Sequence, residues 1–378
     1  MSSAVVSERK LLCCGRESFP ALLAAIDAAR ETVCLETYIY SADSVGERFM
    51  QAFLRARARG VQVRVLIDAL GSISLFSSFW KPLLAAGGEV RIFNPLALNR
   101  FGIRDHRKVL VCDRQVAFVG GFNIAAEYDG DGVTRGWYDL GMKVGSEMAR
   151  QLEATFDDMF SRADFQHRRF MHLRPADDSR SIQFHHEELL LGGPGRGPSP
   201  LKQSLLSDLA RAMRVRIMVA YFLPTWTMRR ALGNVVRRGG TVELILAGKS
   251  DVLLSRLAGQ SLYRRFLKSG VRIYEYQPQI LHAKLMIIDD ATYVGSANLD
   301  QRSLNINYEL MIRTEGESLA GEAGQLFAGA REHCREITQD GWRAGRTIWR
   351  RMRQRWAYWF LARLDPYIAG RQWRALPD

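Results

Sequence analysis

The stretches HRKVLVCDRQVAFVGGFN at residues 106–123 and HAKLMIIDDATYVGSAN at 282–298 decide how this chain folds. Each runs His, any residue, Lys, an apolar run ending in Asp, a polar break, and a second apolar run closed by Gly-Gly or Gly-Ser. An Asn follows in both, Asn123 and Asn298. Corresponding residues stand at one interval, since 282−106, 284−108 and 289−113 all equal 176. Two apolar runs around a polar break predict a β-hairpin. Alternation along a strand puts His106 with Lys108 on one face, and His282 with Lys284. Asp113 and Asp289 lie at odd offsets from the histidines and fall at the turns, where they are expected to hold the hairpins together.

The flanks repeat too. In the first half FPALLAAIDAARE (19–31) reads as an amphipathic helix and TVCLETYIY (32–40) as a strand. GERFMQAFLRARARG (46–60) is then a basic helix ending at Gly60, and VQVRVLID (61–68) a second strand. The second half gives SLLSDLARAMR (204–214), RIMVAYFLP (216–224), MRRALGNVVRRGG (228–240) and TVELILAG (241–248) in the same order. VRIFNP at 90–95 and VRIYEY at 271–276 lead into the two motifs. Alternating strands and helices imply an α/β fold with mainly parallel sheets covered on both faces. A period of 176 residues is too long for a solenoid and points to two halves around a pseudo-two-fold axis. The expected division is a first half over 1–180, a linker region over 181–200 containing GGPGRGPSP, a second half over 201–340 and a tail over 341–378.

Composition narrows the partner. The chain of 378 residues carries a formal charge of +13, which suits an anionic partner: nucleic acid, an anionic membrane or a phosphorylated substrate. Segment 341–374 alone holds nine arginines, five tryptophans and one acidic residue, Asp365. Tryptophans at headgroup level and arginines on lipid phosphates would make it a membrane-surface segment; a helix packing its aromatics on the domain is the alternative. The longest charge-free runs, 69–80 and 217–228, have 12 residues each, too short to span a bilayer. The apolar stretch GSISLFSSFWKPLL (71–84) could border an acyl-chain entrance or form a buried helix. Cys13, Cys14, Cys34, Cys112 and Cys334 show no zinc spacing and read as free thiols of a reducing compartment.

The motif residues suit attack on a phosphodiester. Its negative charge repels nucleophiles, so Lys108 and Lys284, helped by the amides of Asn123 and Asn298, would neutralise the non-bridging oxygens. One imidazole can act as nucleophile while the other protonates the leaving alkoxide and later deprotonates the incoming alcohol or water. Each imidazole needs a carboxylate to fix its tautomer. Asp139 and Glu309, on the matching stretches WYDLGMKV and NYELMIRT, are preferred over Glu127; which serves which histidine stays open. A lysine two residues from each histidine argues against a metal, and the adjacent His185-His186-Glu187 would point to opposite faces of a strand. No metal and no cofactor is expected.

These paired motifs, with FPALLAAIDAARETVCLETYIY and GSANLDQRSLNINYEL, resemble the phospholipase D superfamily, and within it the bacterial cardiolipin synthases, over about residues 10–335. The resemblance implies two α-β-α sandwich halves sharing one active site, with His106 as nucleophile and His282 as general acid, the reverse being the alternative. It implies a phosphatidyl group moved from one phosphatidylglycerol to a second; a hydrolase or a nucleic-acid phosphodiesterase of the same superfamily is the rival. The transmembrane helices of the longer members are missing, so the chain resembles the shorter, B-type synthases. The implied setting is peripheral, on the cytoplasmic face of the bacterial inner membrane, with an anionic phospholipid substrate and no nucleic-acid partner. The second motif is one residue shorter between its Asp and its first Gly, which bears on the turn.

Overall fold

The structure, a computed structural model, describes residues 9–95, 102–163, 179–194, 199–344 and 347–364. Trp373 and residues 195–198 of the GGPGRGPSP stretch lie outside the described residues.

The first half contains β1 (Lys10–Cys13), α1 (Cys14–Ala28), β2 (Thr32–Thr37), α2 (Ser44–Ala58), β3 (Gln62–Asp68), α3 (Lys81–Ala85), β4 (Glu89–Phe93), β5 (Val109–Cys112), β6 (Val116–Gly120), β7 (Leu140–Val144) and α4 (Ser146–Ala163). The second contains β8 (Arg180–Phe184), β9 (Glu187–Gly192), α5 (Pro200–Arg211), β10 (Arg214–Val219), α6 (Trp226–Arg237), β11 (Thr241–Ala247), α7 (Leu253–Gln260), α8 (Tyr263–Lys268), β12 (Arg272–Tyr276), β13 (Lys284–Ile288), β14 (Ala291–Gly295), α9 (Gln301–Asn305), β15 (Glu309–Glu315), α10 (Glu317–Glu332) and β16 (Cys334–Ile337). Helices α11 (Gln339–Ala344) and α12 (Ile348–Trp359) follow.

The sheets superpose strand for strand. One runs β1-β7-β6-β5-β2-β3-β4; the other runs β9-β15-β14-β13-β10-β11-β12, with β8 and β16 added at its edges. Among the described strands, β2-β3-β4 and β10-β11-β12 pair in parallel and the other strand pairings are antiparallel. The expectation of mainly parallel sheets is thus corrected. Helices α2 and α3, and α6 with α7 and α8, supply the crossovers between the paired parallel strands, whereas tight turns join β5 to β6 and β13 to β14, and a tight turn reverses the chain. The crossover helices are punctuated alike. Gly60, Gly87, Gly239 and Gly270, with φ of 80–88°, follow α2, α3, α6 and α8 in the left-handed conformation that ends a helix.

Alternation divides each strand between two cores. Val33, Leu35, Leu110 and Cys112 face α1 and α2 on the outer side, among Phe19, Phe49 and Phe53. Cys34, Val109, Val111 and Val119 face a central layer that both halves share, with Phe156 of α4 and Phe327 of α10. The second sheet's outer face is covered by α5 and α6. Segment 181–200, expected as a linker, instead adds the β8–β9 hairpin beside β15. His185 and His186 are simply its exposed turn.

The motif aspartates sit at the far end of their hairpins. The Asp113 carboxylate accepts backbone N–H bonds from Arg30, Glu31 and Thr32, each at 2.8 Å; Asp289 accepts from Met213 at 3.1 Å and Arg214 at 2.7 Å. They tie the hairpin turn to the start of β2 or β10 rather than closing the hairpin on itself. The one-residue difference between the motifs is absorbed here. Cys112 pairs with Val116 across residues 113–115, and Ile288 with Ala291 across residues 289 and 290. Asp113, Arg114 and Asp289 adopt φ of 55°, 56° and 51° to make these turns.

Charge-assisted bonds of this kind contribute about 1.5–3 kcal/mol. Asp113→Ala is therefore expected to lower the unfolding free energy by about 2 kcal/mol in urea titration, while turnover per folded molecule falls less than about threefold. Lost turnover at unchanged stability would place Asp113 in the chemistry instead.

Candidate active site

The residues leading into β5 and β13 are held by the opposite half. His106 N–H donates to the Tyr308 carbonyl at 3.0 Å, and Tyr308 N–H to Arg104 at 2.9 Å. In the mirror arrangement His282 N–H donates to the Tyr138 carbonyl at 2.7 Å, and Tyr138 N–H to Ile280 at 2.9 Å. Tyr138 and Tyr308 immediately precede Asp139 and Glu309, at the starts of β7 and β15, so these bridges carry the two carboxylates across the interface with them.

The carboxylates consequently pair crosswise. His106 Nδ1 lies 3.1 Å from Glu309 Oε2, and His282 Nδ1 lies 2.7 Å from Asp139 Oδ2. Glu127, the alternative carboxylate, is exposed on the turn Ala126–Tyr128. Asp139 and Glu309 occupy matching positions, but their neighbours differ. A Cβ at Gly121 would sit 2.1 Å from Asp139 Oδ1, so only glycine leaves room for that carboxylate. The equivalent Ser296 donates its hydroxyl to Glu309 Oε2 at 2.5 Å.

Both lysines turn back on their own histidines. Lys108 Nζ donates to the His106 carbonyl at 2.6 Å and lies 5.2 Å from the Tyr38 ring centre. Lys284 Nζ donates to the His282 carbonyl and lies 3.1 Å from His282 Nε2. Alternation sends the intervening Arg107 the other way, onto Glu36 at 2.8 Å and Thr155 at 3.0 Å. Asn123 and Asn298 use their carbonyl oxygens on the backbone N–H of Ile39 (3.0 Å) and Tyr221 (3.3 Å). The Asn123 amide nitrogen donates to the Tyr128 hydroxyl at 2.6 Å.

His106, His282, Asn123 and Asn298 line one cavity of about 460 Å³. Its walls include Tyr38, Tyr128 and Trp137, none of which the motifs announce. The Tyr38 ring lies 5.1 Å from His106; the Tyr128 and Trp137 rings lie 5.3 and 5.5 Å from His282. Trp137 had a visible signal, two residues before Asp139. Tyr38 and Ser296 had only their places at a strand end and beside Gly295. Asp113 and Asp289 are not brought to this cavity: a strand of four residues or more, on the order of 15 Å long, separates them from it.

Burial dominates the electrostatics. It lowers His106 to about 4, with Glu309 opposing, and lowers Lys108 to about 7 and Lys284 to about 8. His282 is also pushed down by burial, then by Lys284. Burial works against the Asp139 carboxylate, yet His282 and Lys284 together hold it below its usual range. The His106 side chain is 13% exposed and that of His282 4%, so His106 is the easier imidazole for a ligand to reach. Among the described residues no helix is long and apolar enough to cross a membrane.

Comparison with known proteins agrees with this architecture. Residues 22–160 and 205–330 match a family model described as "Cardiolipin synthase, PLD-like domain". The chain is 30% identical to cardiolipin synthase 1 of Bacillus anthracis over 319 residues, 80% of this chain and 62% of that protein. It is 32% identical to cardiolipin synthase A of Pseudomonas aeruginosa over 347 residues, 90% of this chain and 70% of the relative. It thus spans somewhat less than two thirds of the Bacillus relative's length. The crystal structure of phosphatidylserine synthase from Haemophilus influenzae superposes with a TM-score of 0.75 at 16% identity, over 96% of this chain and 94% of that one, which shows a shared fold. The chain belongs to the cardiolipin synthase family of phospholipase D-like proteins.

Proposed function

We propose that the protein is a phosphatidyltransferase that moves a phosphatidyl group from one phosphatidylglycerol to the hydroxyl of a second, through a phosphohistidine on His106. The crossed arrangement carries this reading: two imidazoles, each held through Nδ1 by a carboxylate, face one cavity beside two buried lysines. Bonding at Nδ1 leaves the Nε2 of His106 for the substrate, while the Nε2 of His282 lies 3.1 Å from Lys284 Nζ.

In the first step His106 Nε2 attacks phosphorus and the bond to the glycerol oxygen breaks. His282, which takes up a proton as the negative phosphodiester binds, gives its Nε2 proton to that oxygen, and glycerol leaves. In the second step His282 takes the proton from the acceptor hydroxyl, the new P–O bond forms, and the P–N bond to His106 breaks. Lys108, Lys284 and the amide of Asn298 hold the non-bridging oxygens. The two ammonium groups supply the positive charge that a metal would otherwise bring, so we read the reaction as metal-independent. Peripheral attachment at the cytoplasmic face of the inner membrane suits the lipid substrate, the positive charge and the free thiols.

Purified protein with phosphatidylglycerol vesicles is expected to release one glycerol per cardiolipin formed, followed by lipid mass spectrometry. Phosphatidic acid as the sole lipid product would make it a hydrolase; DNA cleavage without lipid turnover would make it a nuclease.

A p-nitrophenyl phosphodiester needs no acid to expel its leaving group. His282→Asn should therefore react once, release a burst of nitrophenolate, and accumulate phosphoenzyme on the His106 peptide. His106→Asn should show neither burst nor adduct, with turnover down on the order of 10⁴-fold. Phosphate on the His282 peptide would reverse the roles.

The lowered pKa values set the pH window. Acid protonates His106 and removes the nucleophile, so kcat/KM should fall below about 4. Base deprotonates Lys108 and then Lys284, so kcat/KM should fall again between about 7 and 8. A profile flat from pH 6 to beyond about pH 9.5, near the ordinary lysine range, would show that the lysines do not lose their charge there.

A further inference from the structure

Helix α12 is amphipathic in the wrong sense for a helix packed on a domain. Successive residues turn by roughly 100°, so Ile348, Trp349, Met352, Trp356 and Trp359 fall within one arc. All five are between 54% and 74% exposed. The opposite side holds buried Gln354 and Ala357, and Gln354 donates to Gln260 of α7 at 3.3 Å. The helix is thus fixed to the body by the side that carries Gln354 and Ala357, with Tyr358 packed beside them, and turns its aromatic stripe outward. Exposed Arg351 and Arg355 flank the stripe on one edge and Arg353 on the other.

The stripe lies beside the cavity that holds the two histidines. Trp349, Met352 and Trp356 form a groove with Leu253, Leu254 and Leu257 of α7. Val252 and Ser255, on the same segment, line the catalytic cavity, as does Leu361 just beyond α12. A second apolar projection leaves the cavity rim after Leu70, where Ile73 is 64% and Phe76 80% exposed. Within this same 71–84 stretch Trp80 and Leu83 are buried, so its apolar residues divide between core and surface.

We propose that the outward stripe of α12 is a docking surface for an anionic phospholipid bilayer, which the helix enters side-on at headgroup depth, bringing the cavity mouth to the lipid. Charge selects this occupant. A protein partner for so apolar a stripe needs no rim of arginines, whereas arginines on both edges fit a lipid surface of negative phosphates. No acidic residue lies between 341 and 364 to oppose them. The proposal rests on the phospholipid reading above only for the choice of substrate in its test.

The test compares the full chain with its Trp349→Ser/Met352→Ser/Trp356→Ser variant, whose positions are outside the catalytic cavity. With vesicles of phosphatidylglycerol and phosphatidylcholine in equal parts, the wild type should co-sediment and its tryptophan emission should shift to the blue. The variant should partition about tenfold less or weaker still and lose vesicle turnover in proportion. Both should act equally on dihexanoyl phosphatidylglycerol dissolved as monomers. Unchanged partition of the variant, no blue shift in the wild type, or lost activity on the monomeric lipid would each overturn docking through α12. So would light scattering that finds a wild-type dimer and a variant monomer, which would assign the stripe to a second copy. A wild type that binds vesicles yet leaves the monomeric lipid intact would instead overturn the substrate reading and leave the docking surface standing.

Discussion

Each imidazole in the cavity depends on a carboxylate that belongs to the other half of the chain, and most of the architecture follows from holding that crossing in place. A histidine bonded through Nδ1 to a carboxylate has its tautomer and ring plane set, but only while the distance stays near 3 Å. Here the distance is fixed by backbone: Tyr138 and Tyr308 bridge to the residues around His282 and His106 before Asp139 and Glu309 ever reach them. The shared central layer around α4 and α10 excludes water from that contact. Neither half contains a complete histidine–carboxylate pair.

The same burial settles the charge. Two ammonium groups face two carboxylates, and the imidazoles are held neutral by desolvation. In the proposed reaction an arriving phosphodiester would add one negative charge to a low-dielectric site, which a proton on His282 would compensate most simply. In the proposed mechanism, binding of the substrate would thereby create the acid that its own cleavage requires. Burial also lowers Lys108 to about 7, well below the ordinary lysine range.

Much of this was legible in the sequence. The paired motifs at an interval of 176 gave both halves, and the alternation of His106 and Lys108 against Arg107 is the alternation found. Asp139 and Glu309 were recognisable because their strands match. Their crossed assignment was not, since a pairing across more than 140 residues leaves no local period to read. The antiparallel portions of both sheets escaped for a related reason: a helix–strand rhythm reports crossovers and is silent on strands joined by short turns. The β8–β9 hairpin was hidden by the Gly/Pro run beside it. Tyr38, Tyr128 and Ser296 act through where the chain places them, and a lone tyrosine or serine carries no spacing to betray that.

The pair Gly121/Asp139 and the pair Ser296/Glu309 are the same two positions filled differently. Two identical halves would meet in a site with interchangeable histidines, and either could attack. A shorter carboxylate seated against bare glycine on one side, and a longer one steadied by a hydroxyl on the other, make the two imidazoles unequal. Joining the halves in one chain is what permits this, because each copy can then drift alone. The duplicated fold thus surrounds its two histidines with unlike partners, which differ by one methylene in the carboxylate and one hydroxymethyl group beside it.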